Sequence, residues 1–380
     1  YTFPSTATQI QAALGITKGD LVAYYTRMAP AILPWTKDRP VILVRYPDGV
    51  DGKSFFQWNV PPAAPAWLRT VTFEDAEEKR KKRGFLLDDE AALGYVANLA
   101  CIPIHILGCR TGSLAEADFL TVDFDVKQSS LGAAITLARA LGEWLDEVGL
   151  AGYPKTSGQS GLHVLVPLGP GQSWTTARGL ADLLGRLLVG RFPDLATMER
   201  TVGKRGARVY VDTGQTGPGR SIVAPWSVRA SPGAGVSTPL RWDEVTPALD
   251  PSAFDLRSVP ERFERDGDPM RPLLSAAPDL PRAIEVGIEN HAEDDLFYEV
   301  HAADFLNIVR KAPGWDKLHY LVWLDSPDDT GAVLAAGATK QGFMFEVMRW
   351  TYPPNYDLAA MTDWITNKLH PAGIRAFTST

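Results

Sequence analysis

The chain has 380 residues, 45% of them hydrophobic and 22% charged, which excludes a disordered polyelectrolyte and leaves room for two ordinary domains. No apolar run approaches the roughly 20 residues needed to span a bilayer, and Tyr1–Leu14 shows neither the basic start nor the apolar core of a secretion signal. The net charge of −7 argues against a polyanionic partner, but the last hundred residues hold 8 Lys/Arg against 14 Asp/Glu, so nearly all the acidity sits there.

Ile10, Leu14, Leu21, Tyr24, Tyr25 and Met28 recur at helical spacing and predict a helix over 10–36, reset at Thr17–Asp20, where Asp20 caps a second segment. An apolar run over 40–47 predicts a buried strand closed by a turn. Proline-rich 60–67 predicts an extended loop, and charged 77–85 a solvated face or loop ahead of a helix over 88–99. Strand 120–126, helix 130–149, strand 161–168 and helix 174–191 follow, and 208–214 with 221–228 reads as a strand pair around a glycine-rich turn.

This mixture predicts an α/β or α+β fold. Residues 250–282 are proline-rich and irregular, and further strands are expected near 317–324 and 342–350. The expected organisation is a main domain over 1–275, a linker over 276–296 and a small α/β accessory unit over 297–380. In that unit Trp315, Trp323, Trp350 and Trp364 either fill a small core or form a partner-binding surface. Cys101 and Cys109 make neither a C-x-x-C pair nor a zinc quartet, so a reducing, cytoplasmic setting is expected.

The sharpest chemical feature is Asp123-Phe124-Asp125 on a strand, because residues i and i+2 share a face and both carboxylates then converge. Such a pair either holds a hard divalent cation or is a solvated strand end. A second feature is the glycine-punctuated SGQSGLH stretch (157–163) running into a strand. Ser157 and Ser160 offer hydroxyls and His163 an imidazole, and the stretch reads as an anion cradle or as a plain hairpin turn with a core histidine. A third is residues 199–229, with six basic side chains (Arg200, Lys204, Arg205, Arg208, Arg220, Arg229) around a possible third carboxylate, Asp212. Together the three suggest two-metal phosphoryl transfer on a nucleotide.

In this order, the DFD triplet, SGQSGLH, VYVD (209–212) with Gln215, and APWSVRASPGAGVSTPLRWDE (224–244) resemble the archaeo-eukaryotic primase superfamily, and most of all the polymerase domain of bacterial ligase D with its stand-alone relatives. GITKGDLVAYYTRMAP (15–30) and RPVILVRYPDGVDGKSFFQ (39–57) look like the same family's opening, and the likeness covers about residues 10–275.

The resemblance implies a primase-polymerase catalytic core of mixed sheets flanked by helices. It implies a template-dependent nucleotidyltransferase that adds nucleotides, with ribonucleotides preferred, at short gaps or breaks in DNA during end-joining repair. The rival reading is a non-catalytic end-bridging or nucleotide-binding module on the same fold. By the resemblance, Asp123, Asp125 and Asp212 hold two Mn²⁺ or Mg²⁺ ions. Ser157, Ser160, His163, Arg205, Gln215, Arg229, Phe55, Phe56 and His105 bind or orient the nucleotide, and Lys18 and Lys204 meet DNA or its 5′-phosphate. Implied partners are gapped or broken duplex DNA, NTP or dNTP, and a separate DNA ligase or end-binding protein, with no membrane and a nucleoid-associated location. Three departures stand out. The family usually has lysines where this chain has Ser160 and Trp58, and the tyrosine and asparagine that accompany its third acid are Thr213 and Thr216 here.

Overall fold

The computed structural model describes residues 9–11, 14–74 and 81–291, and three strands beyond them. Two compact units result, one of the chain up to Glu143 with Ala151–Ala277, the other of Trp144–Leu150 with the chain from Pro278.

The first unit begins with a small ladder, β1 (Gln9–Gln11) against β2 (Ile16–Thr17), where the hydrophobic spacing predicts helix. Gly15 at φ +63° turns the chain between them. Helix α1 (Lys18–Arg27) then starts at a reciprocal cap. Thr17 is its N-cap, and the Asp20 side chain accepts from the Thr17 backbone N–H. Helix α2 (Ala29–Thr36) leads into β3 (Pro40–Arg45), β4 (Phe55–Gln57), β5 (Thr70–Glu74), β6 (Lys81–Leu86), α3 (Glu90–Asn98) and β7 (Cys101–Leu107). β8 (Phe119–Asp125), α4 (Leu131–Glu147, whose end from Trp144 counts with the second unit), β9 (Tyr153–Thr156), β10 (Leu162–Pro167), α5 (Trp174–Arg191), β11 (Ala196–Thr197), β12 (Val209–Asp212), β13 (Ser221–Val223) and α6 (Val259–Asp266) follow.

Two sheets organise the first unit. One has the order β13-β7-β3-β6-β5, with β4 also on β3; the other has the order β11-β12-β8-β10-β9. β12 and β13, expected to pair, therefore lie in different sheets. The turn after β12 is drawn back to β8, since the Thr121 N–H donates to the Thr216 hydroxyl (2.9 Å). β6, expected within a charged face or loop, is a strand whose Lys82 is 8% exposed, its ammonium 4.8 Å from the centre of the Trp58 ring. Helices α1 and α3 pack together, with α3 on β7, while α5 packs on β8, β11 and β12.

One segment, residues 224–240, hydrogen-bonds to both sheets. At its start the Ala224 N–H donates to the Ile104 carbonyl of β7 (2.9 Å), and the Ser227 hydroxyl accepts from the Ile104 N–H (2.8 Å). Trp226, fully buried at φ +67°, turns the chain, and further on the Thr156 and Leu240 N–H groups link the segment to β9. In the second unit, α7 (Leu280–His291) precedes a parallel sheet of β14 (Tyr320–Trp323), β15 (Phe343–Val347) and β16 (Arg375–Thr378). The expected strands near 317–324 and 342–350 are β14 and β15. Trp315, Trp350 and Trp364 lie outside the described residues.

Candidate active site

The pleat puts Asp123 and Asp125 on one face of β8 and turns Phe124, fully buried, to the other. Register then extends the site sideways. Asp212 on β12 and His163 on β10 both stand opposite Asp123, and Lys155 on β9 stands opposite His163. Asp212, Asp123, His163 and Lys155 thus form one row across four strands. In the next row Tyr210 faces Asp125.

Burial, followed by the neighbouring carboxylates of Asp212 and Asp125, pushes the Asp123 carboxyl up to about 7. His163 Nε2 lies 3.4 Å from Asp123 Oδ1, and His163 Nδ1 lies 2.7 Å from Lys155 Nζ. Burial first, and then Lys155, Arg229 and His105, holds the His163 imidazole well below its usual range. Asp212 is engaged by its own turn: Oδ1 accepts from the Gly214 N–H (2.7 Å) and the Tyr210 hydroxyl (3.4 Å), and Oδ2 accepts from Gln215 Nε2 (3.1 Å). The two threonines that depart from the family pattern anchor that turn, Thr213 to Asp182 on α5 and Thr216 to Thr121 on β8.

A cavity of about 270 Å³ opens beside this row. Asp123, Asp125, His163, Ser157, Ser160 and Gln215 line it, together with His105 of β7 and Arg229. The serine-glycine turn is closed on itself, because Ser157 Oγ accepts from the N–H groups of Gln159 (3.2 Å) and Gly161 (3.0 Å). Gly158, at φ +75°, allows this turn to lie against the 229–237 stretch: a Cβ there would fall 2.5 Å from Arg229 Cγ and 2.8 Å from Ser237 N. Arg229 Nη2 donates to Gln159 Oε1 (3.1 Å), Nη1 lies 3.5 Å from His105 Nε2, and its buried Nε has no partner among the described residues. Burial, with Arg229 and Lys155, presses the His105 imidazole down to about 3, so at neutral pH it is uncharged.

The remaining expected residues lie around this centre. Arg205 is off the cavity wall: it stacks on Tyr210 at 3.7 Å, donates to the Glu199 and Arg200 carbonyls, and reaches Asp125 at 3.3 Å. Phe55 and Phe56 on β4 are 44% and 61% exposed, and the Phe56 ring meets His105 edge-on at 6.1 Å. Lys18 opens α1, and Lys204 sits in a short turn at Val202–Lys204; neither lines the cavity.

A family model described as the LigD primase-polymerase domain matches residues 17–270. The chain belongs to that family. Among similar proteins, the bifunctional non-homologous end joining protein LigD of Bacillus subtilis (strain 168) is 30% identical over 255 residues, covering 67% of this chain and 41% of that protein. The multifunctional non-homologous end joining DNA repair protein LigD of Mycobacterium tuberculosis (H37Rv) is 32% identical over 276 residues, 70% of this chain and 36% of that protein. The chain therefore spans about two fifths or less of these relatives. A solved polymerase domain from Mycobacterium tuberculosis ligase D, in complex with DNA, superposes with a TM-score of 0.68 at 30% identity, covering 73% of this chain and 99% of that one.

Set within a LigD primase-polymerase fold, the donor set fits a hard divalent cation. Two carboxylates face the cavity, and carboxylate repulsion adds to burial in lifting Asp123, a strain that a cation relieves. No group of three or more His, Cys, Asp or Glu side chains is already gathered for a metal among the described residues. Sequence reasoning passed over Lys155, Gln159 and Tyr210. The signal for Lys155 was the tight turn itself, since a hairpin closing over 157–161 sets residue 155 against residue 163.

Proposed function

We propose that the main unit is a template-directed nucleotidyltransferase that extends a DNA 3′ end by nucleotides, ribonucleotides preferred, at short gaps or breaks. One observation carries this reading. The acids Asp123 and Asp125 share one cavity with the cationic Arg229 and the neutral His105, an arrangement suited to a triphosphate and its counter-ions. The relatives' names, which place them in non-homologous end joining, and the DNA-bound structural neighbour support the same substrate class.

Two Mg²⁺ or Mn²⁺ ions held by Asp123, Asp125 and Asp212 would activate the 3′-hydroxyl and neutralise the triphosphate. The chain's own groups bind and orient. Arg229, whose Nε lacks a partner among the described residues, takes a phosphate oxygen. The Ser157 hydroxyl accepts twice within its turn and so directs its own proton outward, and Ser160, Gln215, His105 and His163 add donors around the same cavity. Arg205 acts by holding Asp125. Phe55 and Phe56 supply an exposed stacking surface for a template base, and Lys18 and Lys204 meet DNA phosphates.

The test is nucleotide addition on a gapped duplex with Mn²⁺, comparing ribo- with deoxyribonucleotides and wild type with Asp125→Ala. Template-directed extension that disappears in the variant supports the proposal. Gapped DNA bound without extension replaces it with the end-bridging reading, and neither binding nor extension overturns it.

A further inference from the structure

Lys155 belongs to the four-strand row but not to the cavity wall: it is fully buried behind His163. Its Nζ donates to Ser237 Oγ (2.7 Å), and that hydroxyl passes its own proton to the Thr156 carbonyl (2.9 Å). The other close partner of Nζ is His163 Nδ1, at 2.7 Å. Burial pulls the Lys155 ammonium well below its usual range while the Asp123 carboxylate opposes that loss of charge; in the ammonium form Nζ has no lone pair, so Nδ1 accepts and the proton of the neutral ring stays on Nε2. The other side of the ring gives the same answer when Asp123 is ionised, as it would be with a cation bound: Nε2 faces Asp123 Oδ1 at 3.4 Å, and a carboxylate oxygen accepts.

We propose that Lys155 is a positioning residue that locks His163 in the Nε2–H tautomer, so that the imidazole presents a donor, not a lone pair, to the cavity. A donor there suits anionic oxygen, whether the Asp123 carboxylate or a phosphate, whereas a lone pair would bind a cation and repel both. Lys155 thereby assigns His163 to the phosphate side of the site and leaves the cations to the carboxylates. The catalytic consequence rests on the nucleotidyltransferase reading; the tautomer does not.

The experiment is ¹⁵N NMR of the ¹⁵N-histidine-labelled chain, with the His163 signals identified by their loss in His163→Asn. Expected in the wild type is an unprotonated Nδ1 and a protonated Nε2. Lys155→Met, nearly the same shape without the donor, should redistribute the tautomers and raise the apparent KM for nucleotide at least tenfold on a gapped duplex. Lys155→Gln, which keeps a donor, should recover part of both. A protonated Nδ1 in the wild type overturns the proposal without any variant, so failure of Lys155→Met to fold does not protect it. Unaltered tautomers in a folded Lys155→Met also overturn it. Shifted tautomers with unaltered KM overturn the positioning role. A wild type that shows the expected tautomer but no nucleotide addition keeps the lock and removes the polymerase reading.

Discussion

The α-carbon of Gly161 lies against the carbonyl oxygen of Phe124, so closely that a Cβ at 161 would overlap that oxygen. Phe124 is the residue between the two cavity acids, so its carbonyl cannot retreat without carrying Asp123 and Asp125 along. Gly161→Ala is expected to cost about 1–3 kcal/mol of stability, the usual effect of overpacking. It should also lower nucleotide addition at least tenfold. Thermal melting and an extension assay check both effects, and a variant matching wild type in each would show that β8 and β10 tolerate a wider spacing.

Asp123 gives a pH dependence whose sign is opposite to that of most carboxylates. Its folded value of about 7 lies above the ordinary 3.8, so the native state holds a proton there that the unfolded chain releases. Without divalent cations, stability should fall as pH rises from about 4 to 7 and level off above that. Asp123→Asn removes this cost and should be more stable than wild type at pH 8, with the difference vanishing below pH 4. The ceiling is about 4 kcal/mol from the shift alone. The side chain keeps a fifth of its exposure, which lowers the figure. Denaturant unfolding in chelator across this range measures it, and Mn²⁺ should narrow the gap by stabilising the wild type.

Arg229 is held at Nη2 by Gln159 and lies beside His105, yet its buried Nε has no partner among the described residues. Arg229→Ala should weaken nucleotide use by about 1.5–3 kcal/mol, the worth of a charged hydrogen bond. Arg229→Lys should recover only part, because an ammonium cannot reproduce the planar fork. Steady-state kinetics against nucleotide concentration decide this, and an apparent KM like that of wild type in the alanine variant removes the contact.

Phe56 contributes an exposed ring, so its truncation should spare the fold and affect the template. Phe56→Ala is expected to weaken binding of a gapped duplex with an unpaired template base by about 1–3 kcal/mol, the cost of one lost stacking platform. Melting temperature should stay close to wild type. Fluorescence anisotropy with gapped and fully paired DNA checks this, the fully paired duplex being the control that should not respond.

Where one segment's own period decided its structure, the sequence was legible. The alternation that puts Asp123 and Asp125 on one face, the buried run of β3 and the helix at 174–191 all came through. It failed where a distant partner decides. Ile10 and Leu14 fit a helical stripe, but Gly15 turns the chain into a two-strand ladder. Lys82 hid β6, because a lysine counts as exposed until Trp58 covers it. In the proline-rich 250–282 region, Pro260 in the first turn starts α6 instead of breaking it. The candidate site divided the same way: its acids were readable one strand at a time, while Lys155 becomes visible only through the register that sets it beside His163.

Residues 224–240 hydrogen-bond to β7 near one end and to β9 near the other, and those strands belong to the sheets that form the two walls of the cavity. The segment works like the spine of a book, setting how far apart the covers stand. Cleft width in this fold is therefore encoded as a length of chain as well as in the residues facing the gap. Adding or removing a residue along the spine would regauge the opening and, because Arg229 lies on the spine, would carry that lining side chain with it.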